Sequence, residues 1–167
     1  GALADAGLRA QVLAAAETPG ARINIPSGAI AGLDYLRAVA PLPRVAIRYT
    51  SRKPVAAWRA ELAALGHDPD RLAGELVLFE GSADQAAVLY PKNLNVALTL
   101  ALTAPKATLT VRVVADPAAP GNIHEIAIES PAGHAEFRMT NAPSAVNPKT
   151  SLLTGLSLRA AVEEVLR

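Results

Sequence analysis

The chain has no cysteine, and this absence excludes disulfides, thiolate metal ligands and a cysteine nucleophile. Aromatic residues make up only 4% of the sequence, too few for a surface on which nucleic-acid bases stack. The formal net charge is +1, so the chain also lacks the basic surface that attracts nucleic acid or an anionic membrane. We therefore expect neither nucleic acid nor a membrane among its partners.

Long apolar runs and leader segments are missing as well. The most apolar run, residues 94–104, is too short to span a bilayer, and the first residues do not resemble a signal peptide. No glycine-rich nucleotide loop, nucleophile elbow or zinc-ligand spacing occurs, and we predict no metal site. The sequence thus predicts a cytoplasmic chain, and its 167 residues suffice for one sizeable core.

Alternating and helical apolar patterns predict an α+β fold. Strands are predicted at 22–25, 45–49, 76–79, 107–113, 122–129 and 134–140. The last two of these strands read as a hairpin joined by the turn Ser130-Pro131-Ala132-Gly133. Helical stripes occupy most of the intervening segments and both ends of the chain. We expect a mixed, largely antiparallel sheet with helices packed on one face.

Residues 90–104 are predicted to contain the central helix, because nearly every residue from 94 to 102 is Ala, Val or Leu. Asn95 and two threonines follow at intervals of four and therefore share one face of that helix. Lys92 and Asn93 fall in its first turn, where unpaired backbone N–H groups and the helix dipole attract anions. Two interpretations stay open. The N-terminus of this helix binds an anionic ligand, or the helix is buried and its end is hydrated.

The three histidines are not equivalent. His67 lies in a polar turn and His134 lies on the polar face of its strand, so both are expected to be solvated. His124 shares a strand face with Ile126 and Ile128, at the start of the strand. It is either a structural histidine with its hydrogen bonds satisfied or an acid/base residue that faces a cleft.

Several segments, taken together and in order, resemble the L-aspartate dehydrogenase family. They are Gly1–Asp5, Ile25–Asp34, Arg52–Pro54, Tyr90–Ala97, Ala115–Pro117, Asn122–Ile126 and Asn147–Ser151. The combination of Pro-Ser-Gly-Ala-Ile, Pro-Lys-Asn and Asn-Ile-His-Glu carries most of the resemblance, which extends over nearly the whole chain.

The resemblance implies a two-domain, homodimeric enzyme that oxidises L-aspartate to iminoaspartate and reduces NAD or NADP. Residues 1–26 would be the end of a Rossmann cofactor domain, and residues 27–146 an α+β catalytic and dimerisation domain. Residues 147–167 would form a loop and helix that pack back on the Rossmann side. The glycine-rich loop and the ribose-binding acidic residue of the family are absent, which puts autonomous cofactor binding in doubt. The family also connects the product with NAD biosynthesis.

Site residues follow from the resemblance by position. His124 matches the catalytic histidine, Ala29 the position whose backbone amide contacts the cofactor, and Asn95 an asparagine that contacts it. Because a dicarboxylic amino acid needs several hydrogen-bond donors, further candidates lie nearby in the motifs. These substrate-binding candidates are Ser27, Lys92, Asn93, Lys149, Thr150 and Ser151. We expect Lys92 or Lys149 to pair with a substrate carboxylate; the alternative is a lysine that is solvated or anchors a loop.

Two other functions stay open. The chain could be a non-catalytic fragment that binds substrate or dimerises through its sheet without its cofactor domain. It could also belong to a related dehydrogenase that acts on another amino acid.

Overall fold

The computed structural model describes residues 3, 5–90, 95–145 and 150–166. The described helices are α1 (Ala6–Ala16), α2 (Leu33–Val39), α3 (Arg59–Ala64), α4 (Ala83–Leu89), α5 (Asn95–Thr103) and α6 (Leu152–Val165). The described strands are β1 (Ala46–Lys53), β2 (Leu76–Ser82), β3 (Thr108–Ala115), β4 (Ile123–Ser130) and β5 (Gly133–Thr140). Short 3₁₀ turns at Val55–Trp58 and Pro69–Arg71 lie on either side of α3.

The strands form one five-stranded sheet in the order β2-β3-β1-β4-β5. β1 and β3 are parallel, whereas the other three pairs are antiparallel. The hairpin between β4 and β5 closes at the pair Ser130 and Gly133, as its turn sequence predicts. The prediction of a mixed, largely antiparallel sheet in an α+β fold is therefore confirmed.

The core lies between one face of the sheet and the helices. Alternate strand residues such as Tyr49, Val111 and Ile126 point to this face and are almost completely buried. They pack with Leu36 of α2 and Leu100 of α5, among other helix residues, in one apolar cluster. The opposite sheet face carries mainly polar and charged side chains, among them Arg48, Thr110, Arg112, Glu125 and Glu136.

Helix α5 has the position that its apolar sequence predicts. Val96, Ala97 and Leu100 are buried, and the helix packs against α2, α4 and β3. Thr99 Oγ1 donates a hydrogen bond of 2.9 Å to the backbone carbonyl of Asn95, four residues earlier. Residues 91–94, which include the predicted first turn, lie outside the described residues.

The strand predicted at residues 22–25 is wrong. Residues 21–27 have no regular secondary structure, belong to no ladder of the described sheet and are mostly exposed. A local apolar pattern fits a strand, yet a strand forms only where a neighbour takes its backbone hydrogen bonds. The apolar face predicted for the helix around α3 is also shorter than expected. Trp58 and Leu62 are buried, whereas Leu65 lies beyond the helix and is 55% exposed.

The apolar faces of the two terminal helices are largely exposed. Leu13 on α1 is 52% exposed, and Leu158, Val162 and Val165 on α6 are 50–72% exposed. The predicted helices thus form, but the described residues leave much of their apolar faces uncovered. Within the described chain no helix is long and apolar enough to cross a bilayer.

Gly32 joins the loop before α2 to that helix in a conformation that favours glycine. Its φ is +79°, and a Cβ built on it would lie 2.6 Å from the ring of Phe137 on β5. We expect Gly32→Ala to lower the free energy of unfolding by about 1–3 kcal/mol more than Gly20→Ala does. Gly20 is the matched control, because its φ is +86° but the space around its Cβ position is open. Equal losses in urea denaturation would contradict the predicted clash.

Candidate active site

Five segments from distant parts of the chain meet at a cavity of about 300 Å³. They are the turn before α2, the end of β1, the start of α5, the start of β4 and the start of α6. The side chains that line the cavity are polar or small: Ser27, Gly28, Ala29, Ser51, Lys53, Asn95, Val96, Thr99, Asn122, His124, Thr150, Ser151 and Thr154. Five of the motif segments that carry the family resemblance therefore converge here.

The pairing of β1 with β4 places three side chains beside the histidine. Ser51 is the register partner of His124 across the two strands. Tyr49 and Lys53 lie two residues before and after Ser51, so all three share the sheet face that His124 occupies. The alternation of β4 places His124 on the core side, as predicted, and the cavity reaches it there.

His124 is held by Tyr49. The Tyr49 hydroxyl and Nδ1 of His124 share a hydrogen bond of 2.9 Å, and the two rings stack at 6.0 Å between centroids. Burial, together with the positive charge of Lys53, lowers the pKa of His124 from 6.5 to about 4. Burial raises the pKa of Tyr49, and a hydrogen bond with Ser51 partly opposes that rise. At neutral pH the site therefore contains a neutral imidazole whose Nδ1 is engaged and whose Nε2 remains for a ligand.

Lys53 brings a positive charge to the cavity. Its Nζ lies 5.0 Å from the ring centroid of Trp58, which is 1% exposed. Burial lowers the pKa of Lys53, and the negative charge of Glu61 partly opposes that change.

The turn with Ser27 and Ala29 is fixed from two sides. The backbone N–H of Gly28 donates a hydrogen bond of 2.8 Å to Ser157 Oγ on α6, and Ser27 Oγ lies 3.4 Å from the same oxygen. The side-chain amide of Asn141 donates a 2.7 Å hydrogen bond to the carbonyl of Ala29. The turn thus presents Ser27 and Ala29 at the cavity wall in a defined conformation.

The remaining predicted site residues divide into two groups. Asn95, Thr150 and Ser151 line the cavity, at the first turns of α5 and α6. Ser151 Oγ also caps α6 by accepting a hydrogen bond from the backbone N–H of Leu153. The other predicted residues, Lys92, Asn93 and Lys149, lie outside the described residues.

Arg52, the neighbour of Lys53, points to the opposite face of the sheet. Its guanidinium contacts Asp116 at 2.9 Å, Glu125 at 3.4 Å and also Glu75, and its side chain is only 12% exposed. These contacts join the end of β1 to the residue that follows β3 and to the start of β4. The two residues of the Arg-Lys motif therefore have different roles. Arg52 anchors the strands, and Lys53 faces the cavity.

The other two histidines lie away from the cavity. His67 and His134 are both exposed, as predicted, and His134 pairs on the surface with Glu129 and Glu136. A hydrogen bond with Glu129 raises the pKa of His134. In the part of the chain that the structure describes, no group of three or more histidine or carboxylate side chains is placed to hold a metal ion.

Sequence reasoning missed three residues beside His124: Tyr49, Ser51 and Lys53. Tyr49 ends the strand predicted at 45–49, and Ser51 and Lys53 lie beyond it, whereas β1 continues to Lys53. Extending the alternation of the predicted strand would have given the signal that the three residues share a face. Which strand lies next to that face depends on the pairing of β1 with β4, and this pairing joins residues about 75 positions apart, such as Tyr49 and His124. No local pattern in the sequence indicates that β1 pairs with β4.

Comparison with known proteins assigns the family. Residues 34–165 match the family model described as aspartate dehydrogenase, C-terminal. The chain is 56% identical to L-aspartate dehydrogenase 2 of Bordetella bronchiseptica over 99% of its own length and 62% of that protein. It is 42% identical to L-aspartate dehydrogenase of Ruegeria pomeroyi over 98% of its length and 60% of that relative.

A solved structure agrees with these sequence matches. The crystal structure of aspartate dehydrogenase from Thermotoga maritima superposes with a TM-score of 0.75 at 34% identity, covering 98% of this chain and 62% of that one. The chain therefore belongs to the aspartate dehydrogenase family. It spans about three fifths of the length of these relatives.

Proposed function

We propose that this chain is the catalytic part of an NAD- or NADP-dependent L-aspartate dehydrogenase, which oxidises L-aspartate to iminoaspartate. The observation that carries the proposal is the cavity itself. Five motif segments, spread along the chain from Ile25 to Ser151, bring His124, Lys53, Ala29, Asn95 and a set of hydroxyl groups to one polar cavity. The reaction is inferred from the names of the relatives. The cavity contains side chains that suit this reaction.

His124 is proposed as the acid/base residue. Oxidation of an amino acid to an imine requires that the amine lose a proton, and a neutral imidazole can accept one. For Nε2 to act as the acceptor, Nδ1 must carry a hydrogen and donate it to the Tyr49 hydroxyl, 2.9 Å away. The imidazolium formed in this step keeps that hydrogen bond.

Tyr49 is therefore expected to orient the histidine. Tyr49→Phe removes the hydroxyl but keeps the ring stacked on His124, so kcat with L-aspartate should fall about tenfold, with little change in KM. The matched control is Tyr35→Phe, since Tyr35 contacts Phe137 and does not line the cavity. Steady-state kinetics check both variants. Equal kcat values for the two would remove Tyr49 from the mechanism.

The cofactor is expected at the wall that contains Ala29 and Asn95. Gly28 in this turn has a φ of +64° and open space where a Cβ would lie, so a planar ring can approach the backbone closely. Asn95, exposed at the start of α5, offers a side-chain amide on the same cavity. When bound, the nicotinamide ring accepts the hydride from the substrate carbon. The turn and Asn95 would hold that ring beside the substrate.

The substrate is proposed to be a dicarboxylic amino acid held by hydroxyl and cationic groups. Ser27, Thr150 and Ser151 line the cavity and can donate hydrogen bonds to carboxylate oxygens. Lys92, Asn93 and Lys149 remain candidates for the same role by their place in the family motifs. The described lining includes no acidic side chain, which favours an anionic ligand.

The larger assembly is proposed on the same basis. Residues 1–26 would be the end of a Rossmann cofactor domain, and the C-terminal segment 147–167 would pack back on the Rossmann side. The exposed apolar residues of α1 and α6 support this arrangement. The sheet face opposite the core would supply the homodimer contact of residues 27–146. We place the enzyme in the cytoplasm.

The test is reduction of NAD or NADP by the full-length protein with L-aspartate at alkaline pH, after its intact mass has been measured. We expect L-aspartate to support reduction with one or both cofactors. Reduction with another amino acid but not with L-aspartate would replace the proposed substrate. A protein that reduces neither cofactor with any amino acid would have only a binding or dimerisation role.

A further inference from the structure

Among the described residues that line the cavity, one side chain has a formal charge, that of Lys53. The other described lining residues are hydroxyl, amide, apolar or glycine residues, apart from the neutral His124. Lys53 lies at the last position of β1, on the same face as Ser51 and Tyr49. Lys53 therefore brings a positive charge to the described part of the cavity wall, and this charge is close enough to lower the pKa of His124.

The surroundings of Lys53 hold its ammonium in place. The ammonium lies 5.0 Å from the centroid of the buried Trp58 ring, a cation–π distance. Glu61 contributes a favourable charge at longer range, while burial lowers the lysine pKa. An ammonium that is held partly out of water at the cavity wall favours a ligand with a negative charge.

We propose that Lys53 binds a carboxylate of the substrate and thereby selects anionic amino acids. This inference rests on the proposed function and adds to it the residue that recognises the substrate charge. Lys53 follows Ser51, the register partner of His124, by two residues, so a carboxylate bound at Lys53 places the rest of a short amino acid beside the imidazole.

Direct binding tests the proposal without turnover. Succinate, an unreactive dicarboxylate, should bind to the full-length protein about 10- to 100-fold more weakly after Lys53→Met, the loss expected for a charge-assisted hydrogen bond. Lys53→Arg keeps the charge and should recover part of the affinity. Lys106→Met is the matched control, because Lys106 is exposed and does not line the cavity. Titration calorimetry measures the affinities, and circular dichroism confirms that each variant is folded.

Kinetics provide the second measurement. In the same Lys53→Met variant we expect the KM for L-aspartate to rise about 10- to 100-fold, with the KM for the cofactor within about twofold of wild type. Succinate binding and KM values that are unchanged in a folded variant would overturn the proposal. If the wild-type protein fails to oxidise L-aspartate but its succinate binding still depends on Lys53, the proposed reaction is wrong and the carboxylate site stands.

Discussion

Replacing His124 with alanine is expected to lower turnover with L-aspartate by about a hundredfold or more, the loss typical of a missing acid/base group. The imidazole lines the cavity, its Nδ1 is bound to Tyr49, and its Nε2 remains for a ligand. Removing the ring removes the proton acceptor while the hydroxyl groups and Lys53 still bind the substrate. The loss should therefore appear in kcat more than in KM. Steady-state kinetics on the full-length protein measure both.

The matched control for this variant is His67→Ala, because His67 is exposed and does not line the cavity.

The pH dependence of turnover adds a second check on His124. Since burial and Lys53 lower the pKa of His124 to about 4, the ring is already deprotonated throughout the neutral and alkaline range. Titration of this group therefore should not produce a rise in activity near the ordinary histidine pKa of about 6.5. Near-normal turnover in a folded His124→Ala protein would refute the assignment.

Trp58→Ala is expected to cause the largest loss of stability, about 3–5 kcal/mol in the free energy of unfolding. Trp58 is the only tryptophan of the chain and is 1% exposed. Its ring packs edge-on against Tyr90 at 5.8 Å and lies beneath the ammonium of Lys53. Truncation therefore leaves a cavity in the core next to the site.

Val88→Ala is the control for this stability prediction. Val88 is 80% exposed on α4, and its truncation should change the free energy of unfolding by no more than about 0.5 kcal/mol. Urea denaturation monitored by circular dichroism suits both variants, since the signal does not depend on the lost tryptophan. A Trp58→Ala loss as small as that of Val88→Ala would show that the core tolerates the missing ring.

Much of the fold could be predicted because its signals are local. The alternation of apolar residues within β3, β4 and β5 predicts three strands, and Ser82 with Gln85 predicts the capping box that begins α4. The failed strand at 22–25 shows the limit of such signals. Its residues have a strand-like pattern, but the fold places no neighbouring strand beside them.

The candidate site could be predicted only in part for a related reason. His124 was identifiable because its strand face is set by its own neighbours, Ile126 and Ile128. The roles of Tyr49 and Lys53 depend on β1 lying antiparallel to β4, and pairing partners of a sheet are fixed by the packing of the whole domain. The alternation of its strand therefore predicted a histidine on the core side, either structural or facing a cleft, but not the side chains that lie beside it.

The hydrogen bond from the Gly28 amide to Ser157 has a consequence for the order in which the site comes apart. It links the turn before α2 to a helix that begins 124 residues later and that has no buried residue among those described. Helices with so little buried surface fray and reopen far more often than the core unfolds. Each such opening of α6 would release one wall of the cavity, with Thr150, Ser151 and Thr154, while the sheet and His124 stay in place. The cavity wall formed by the sheet is thus expected to persist while the wall formed by α6 opens and closes. A bound ligand that touches both walls would hold α6 in its closed position.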